Sequence, residues 1–118
     1  MTLLSYQTTL NGDVAVITLM GELDVAGSAQ LEHELDRVLT EDRPGALVLD
    51  LSQLDFMDST GLRFVVLADS RTRDESRRFA VVRGNQDVHR VFEITRMADR
   101  LDILGSLEEA SQLGGTAA

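Results

Sequence analysis

Apolar and polar residues alternate at the start of the chain, where Leu4, Tyr6, Thr8 and Leu10 are separated by Ser5, Gln7 and Thr9. A period of two predicts a half-buried strand. Asn11-Gly12 follows, a dipeptide that favours a tight hairpin, and Val14 to Met20 reads as a second, almost wholly apolar strand in the middle of a sheet. Gly21-Glu22-Leu23-Asp24 ends that strand. Leu31, Leu35, Val38 and Leu39 then recur at helical spacing, with Glu32, Glu34, Asp36 and Arg37 turned outward. Asp42-Arg43-Pro44-Gly45 holds the only proline and breaks the helix. Ala46 to Leu49 is a continuous apolar run, the mark of a strand covered on both faces. Strand, helix, strand in that order implies a parallel pair with a right-handed crossover.

The stretch Leu54-Asp55-Phe56-Met57-Asp58-Ser59-Thr60-Gly61-Leu62 lies between an apolar run ending at Leu51 and another beginning at Leu62. It reads as a strand-to-helix junction, with a second helix starting near Gly61 and apolar through Ala68. Phe79 to Val82 predicts a further strand. Asn85 is placed as the N-cap of a third helix with Asp87 in its first turn, and Val88, Val91, Phe92 and Thr95 face inward. Leu101 to Leu104 reads as a last strand. Ser106 and Glu109 have capping-box spacing for a short helix through Leu113, stopped by Gly114-Gly115. A hairpin followed by βα units is an α/β layer sheet, organised as one domain over residues 1–118 with a flexible tail at 114–118.

Composition narrows the classes of function. The 118 residues are 43% hydrophobic, yet no apolar run approaches a membrane span and Met1 to Ser5 lacks the start of a signal peptide. The expectation is a soluble, cytoplasmic protein. Without cysteine there are no disulfides and no thiolate metal sites. The formal charge of −9 argues against a nucleic-acid partner, because neutralising phosphates needs clustered cations. All 11 basic residues are arginine, so the lysine of a phosphate-binding P-loop cannot occur.

Ser59 is the candidate for chemistry. A nucleophilic serine needs a base in reach, and His33 and His89 both fall on helices away from the junction. No Gly-x-Ser-x-Gly elbow is present. Asp55 and Asp58 alone make a poor cation site. The reading is therefore no enzyme, no metal and no cofactor. The plain alternative is that Ser59 and Thr60 merely cap the helix that follows.

Two motifs in order decide between these readings. Gly21-Glu22-Leu23-Asp24, followed by Phe56-Met57-Asp58-Ser59-Thr60-Gly61-Leu62, resembles the STAS domain of bacterial anti-sigma factor antagonists. Val88 to Thr95 is similar to that family's third-helix segment, so the resemblance spans almost the whole chain. It implies a mixed sheet of four to five strands with about four helices. It also implies a partner switch, with Ser59 as phosphoacceptor and Asp24, Asp58, Thr60, Gly61, Leu62 and Arg63 around it on the partner-binding face. The implied partners are an anti-sigma factor that is a serine kinase of the histidine-kinase ATPase fold, and a serine phosphatase that resets Ser59. The unphosphorylated form would bind the kinase and free a sigma factor. The chain itself would be a monomer or weak dimer, touching neither nucleic acid nor membrane. STAS domains also serve as non-switching subunits, for example of lipid-transport complexes, which is the alternative function. Many relatives carry Gly-Leu-Gly at the motif's end, whereas this chain has Gly61-Leu62-Arg63. That arginine is placed to reach outward toward a partner or toward a phosphate on Ser59.

Overall fold

The computed structural model describes residues 3–114. Five strands lie in the order β1-β2-β3-β4-β5: Ser5–Asn11, Val14–Leu23, Ala46–Met57, Arg78–Val82 and Ile103–Leu104. The first pair is antiparallel and the other three pairings are parallel, so the sheet is mixed. Helices α1 (Val25–Arg37), α2 (Ser59–Asp74) and α3 (Gln86–Ile94) connect successive parallel strands. A one-turn helix, α4 (Ser111–Gly114), continues a 3₁₀ turn at Leu107–Ala110. No helix among the described residues is long and apolar enough to cross a membrane. Residues 115–118, most of the expected tail, lie outside the described residues.

The hairpin forms as predicted, but its loop is Gly12-Asp13, because Asn11 still pairs with Val14. Gly12 has φ 63°, which suits the glycine-first position of a tight hairpin turn. The core is built on two faces of the sheet. Ile17, Leu19, Leu47, Leu49, Phe79 and Val81 pack with Leu31, Leu35, Phe64, Val65, Val88 and Phe92 of the three helices. Val14, Val16, Ala46, Val48 and Val82 point the other way and meet Ala110. β2 and β3 are thus covered on both sides where their sequences run apolar.

Both long strands continue past their predicted ends. β2 runs through Leu23 and β3 through Met57. Their register shifts twice, between Thr18 and Met20 and between Gly21 and Glu22, with one extra residue of β3 taken up each time. As a result Leu51, Leu54 and Met57, three residues apart, all enter the same core. Asp50 is buried at the first shift, and its carboxylate accepts hydrogen bonds from the Ser52 amide (3.0 Å) and hydroxyl (2.7 Å).

Several inward and outward assignments change. Leu10 is 54% exposed and Thr95 is exposed, where the periodicity had turned both inward. The Thr95 hydroxyl donates to the Val91 carbonyl at 2.7 Å. Glu34 is half-buried and bonds Arg37 of its own helix and the Thr8 hydroxyl of β1. β5 shrinks to two residues, while the Ser106–Glu109 capping box forms as predicted.

Candidate functional site at the starts of the helices

Three helix starts line up at the C-terminal edge of the parallel strands. Each is fastened by the residue that follows or soon follows a strand. Asp24 caps α1 by accepting from the Ala26 amide at 3.0 Å, and Asp58 caps α2 by accepting from the Gly61 amide at 3.0 Å. Asn85 caps α3 by accepting from the Val88 amide at 2.9 Å, and its side-chain amide donates to the Leu54 carbonyl of β3 at 3.2 Å. Leu23 and Met57 are register partners, so Asp24 and Asp58 come out side by side. The Asp58 amide also donates to the Leu23 carbonyl at 3.4 Å.

This arrangement reassigns the roles around Ser59. The helix begins at Ser59 rather than near Gly61, and Asp58 alone supplies the cap, so Ser59 and Thr60 do not. Ser59 sits in the first turn, exposed, and its side chain makes no hydrogen bond among the described residues. A hydroxyl at a helix N-terminus lies in a partly positive field beside unpaired amide N–H groups. Covalent negative charge is tolerated at such a position.

Gly61 has a different reason from the one expected. A Cβ there would lie 2.6 Å from Met57 Cγ, 2.8 Å from the Leu23 carbonyl oxygen and 2.9 Å from Leu23 Cγ. The glycine lets α2 start in contact with the ends of β2 and β3. It is an internal fit and offers no surface to a partner. Leu62 is likewise turned into the main core, so it supports the face from beneath.

Thr60 and Arg63 remain at the surface. With Ser28, Glu32, Phe64 and Leu67 they line a depression between α1 and α2. Arg63 also borders an open, mainly apolar groove of about 480 Å³ formed with Val66, Leu67, Ser70, Thr95 and Met97. It is exposed and makes no ion pair among the described residues. Two apolar residues join this face that periodicity did not single out. Val25, the first residue of α1, is 72% exposed, and Phe56, opposite Glu22 on the strand ladder, is 47% exposed. Val25 directly follows the Gly21-Glu22-Leu23-Asp24 motif and Phe56 is the first residue of the motif that holds Ser59, which was the available signal.

Neither histidine belongs to the site. His33 lies in a hollow with Asp36 and Arg71, and His89 faces Glu93 at 4.0 Å on α3. The fold and site together define a small α/β domain that presents a free serine at a helix start, flanked by carboxylates and exposed apolar side chains. Residues 5–110 match the STAS domain model. The anti-sigma-F factor antagonist RsfB of Mycobacterium tuberculosis is 32% identical over 97 residues, 82% of this chain and 78% of that protein. A crystal structure of an anti-sigma factor antagonist from Mycobacterium paratuberculosis superposes with a TM-score of 0.86 at 25% identity, covering 95% of this chain and 94% of that one. The unphosphorylated form of the anti-sigma factor antagonist SpoIIAA shares the fold, with a TM-score of 0.80 at 19% identity over 97% of this chain and all of that one. The chain belongs to the STAS domain family, among the anti-sigma factor antagonists.

Proposed function

We propose that this protein is an anti-sigma factor antagonist whose binding is switched by phosphorylation of Ser59. The observation that carries the reading is the division of labour at the start of α2. Asp58 caps the helix, which leaves the Ser59 hydroxyl exposed and unbonded. A serine needed for the fold would be occupied and covered; this one is neither.

In the unphosphorylated state the partner, an anti-sigma factor that is also a serine kinase of the ATPase type, docks on Asp24, Asp58, Ser59, Thr60 and Arg63. Val25 and Phe56 supply apolar contact beside the carboxylates. The kinase transfers the γ-phosphoryl of ATP to the Ser59 oxygen, and the hydroxyl proton leaves with the kinase's base. The phosphoserine adds roughly −1.5 to −2 charge where two carboxylates already stand, and bulk where the surfaces must meet. The complex separates and the anti-sigma factor returns to its sigma factor. A serine phosphatase restores the hydroxyl. The chain acts here as substrate and ligand rather than as an enzyme, in the cytoplasm where sigma factors work.

Incubation with ATP and the ATPase-type kinases encoded in the same genome, followed by mass spectrometry of the peptide holding Ser59, tests this. One phosphate on Ser59, absent in Ser59→Ala, is the expected result. Stable binding to a kinase or transporter subunit with Ser59 never modified would overturn it.

A further inference from the structure

The first 12 residues of this chain carry no charged side chain, although the whole chain carries 31 charges in 118 residues. Ten of the 12 are described, and seven of them form β1, which is an edge strand. Among the described residues it pairs only with β2. Its seven register pairs with β2 run from Ser5–Met20 to Asn11–Val14 without a bulge. Edge strands are ordinarily protected from pairing by charge, proline or a bulge, and β1, Ser-Tyr-Gln-Thr-Thr-Leu-Asn, has none of these.

We propose that β1 is a self-association edge: two copies of this chain pair antiparallel along Ser5–Asn11 and join their five-stranded sheets into one. A second copy is the occupant that the charges favour. Each chain carries −9, so most faces repel a copy, whereas β1 brings an uncharged strip against an identical one. The register follows from the strand itself. A two-fold axis perpendicular to the sheet at Thr8, the midpoint, uses all seven residues and keeps the helices of both copies on one side. Thr8 then faces its own counterpart, Gln7 faces Thr9, Tyr6 faces Leu10 and Ser5 faces Asn11. No pair sets like charges opposite each other. The pairing also covers Leu10, whose 54% exposure the monomer leaves unexplained, with the half-buried Tyr6 of the other copy.

The contact is small and mostly main-chain, which places the dimer among weak, concentration-dependent assemblies. The same axis reverses the strand direction, so the two Ser59 faces point to opposite ends of the joined sheet. Pairing therefore leaves both faces open, and the proposal stands independently of the phosphoserine switch.

Sedimentation equilibrium from micromolar to about 1 mM tests it. The average mass should climb from 13.0 kDa toward twice that value, and more readily at high salt, which screens the repulsion. Gln7 and Thr9 are both exposed, so their substitution leaves the fold in place. Q7K/T9K, which sets lysines opposite one another, should hold the chain monomeric. Q7K/T9E, which sets lysine opposite glutamate, should dimerise at least as well as the parent. Amide exchange in β1 of the unsubstituted chain should slow as concentration rises. A monomer at every concentration, a dimer indifferent to Q7K/T9K, or loss of dimer in both double variants would overturn the proposal.

Discussion

Leu23 and Met57 face each other across the β2–β3 ladder, and the residue after each is the aspartate that caps the next helix. One register pair therefore fixes two negative helix caps as neighbours. The same two residues form the wall against which Gly61 packs. The face around Ser59 is set by strand pairing, with the loops contributing only the caps.

Gly61 is the tightest point of that construction. Gly61→Ala places a methyl within 2.8 Å of the Leu23 carbonyl oxygen and within 2.6 Å of the Met57 side chain. Backbone cannot yield as a flexible side chain does, so the expected cost is about 1–3 kcal/mol. Urea unfolding should show a lower midpoint with an unchanged slope. An unaltered midpoint would mean that α2 moves freely at its start.

Asp58 has a capping role and a charge, and two substitutions separate them. Asp58→Asn retains an oxygen for the Gly61 amide and should change stability by only a few tenths of a kcal/mol. Asp58→Ala loses the cap and should cost about 1 kcal/mol. Thermal unfolding of both variants, set beside partner affinity, shows whether the carboxylate charge matters to binding. Equal destabilisation by both substitutions would contradict the capping role.

Acid should loosen the link between β1 and α1. The Arg37 guanidinium, bonded to Glu34 through Nε and Nη2 at 2.9 Å, holds its carboxyl below the ordinary value of 4.5. Burial opposes that shift, and the Thr8 hydroxyl and the Arg37 charge assist it. A carboxyl lowered in the folded state stabilises the fold above its unfolded value, and that contribution disappears as pH falls through the lowered folded value. Glu34→Gln should cost about 1 kcal/mol at neutral pH and flatten the acid side of the stability profile below about pH 4.5. A profile as steep as the parent's would place the acid sensitivity elsewhere.

Arg63 is exposed and unpaired among the described residues, so the fold does not depend on its charge. Arg63→Gln should leave stability within about 0.5 kcal/mol while changing affinity for the anti-sigma factor. Calorimetric titration checks the second part. Unchanged affinity would remove Arg63 from the partner face.

The order of elements was legible because the apolar runs at Val14–Met20, Ala46–Leu49 and Phe79–Val82 obey simple periods. Strand ends were not, because two bulges turn the spacing of Leu51, Leu54 and Met57 into threes, which matches neither a strand nor a helix. The motif around Ser59 stood out, but the assignment of its parts needed three dimensions. Leu62 opens an apolar run and faces inward with it, whereas the inward fit of Gly61 against Leu23 and Met57 has no local pattern behind it. Val25 is exposed as the first residue of α1, and Phe56 is exposed because the next residue of its strand, Met57, turns into the core. Glu34 looked solvated until β1 folded back over it.

The most direct measurement compares two forms of one protein against its anti-sigma factor: the chain with a free Ser59, and the chain carrying phosphoserine at that position. Both should unfold in a single cooperative transition. By calorimetric titration the free form should bind, and the phosphorylated form should bind at least 100-fold more weakly, a difference of about 2.7 kcal/mol. Equal affinity for the two natively folded forms would contradict the switch.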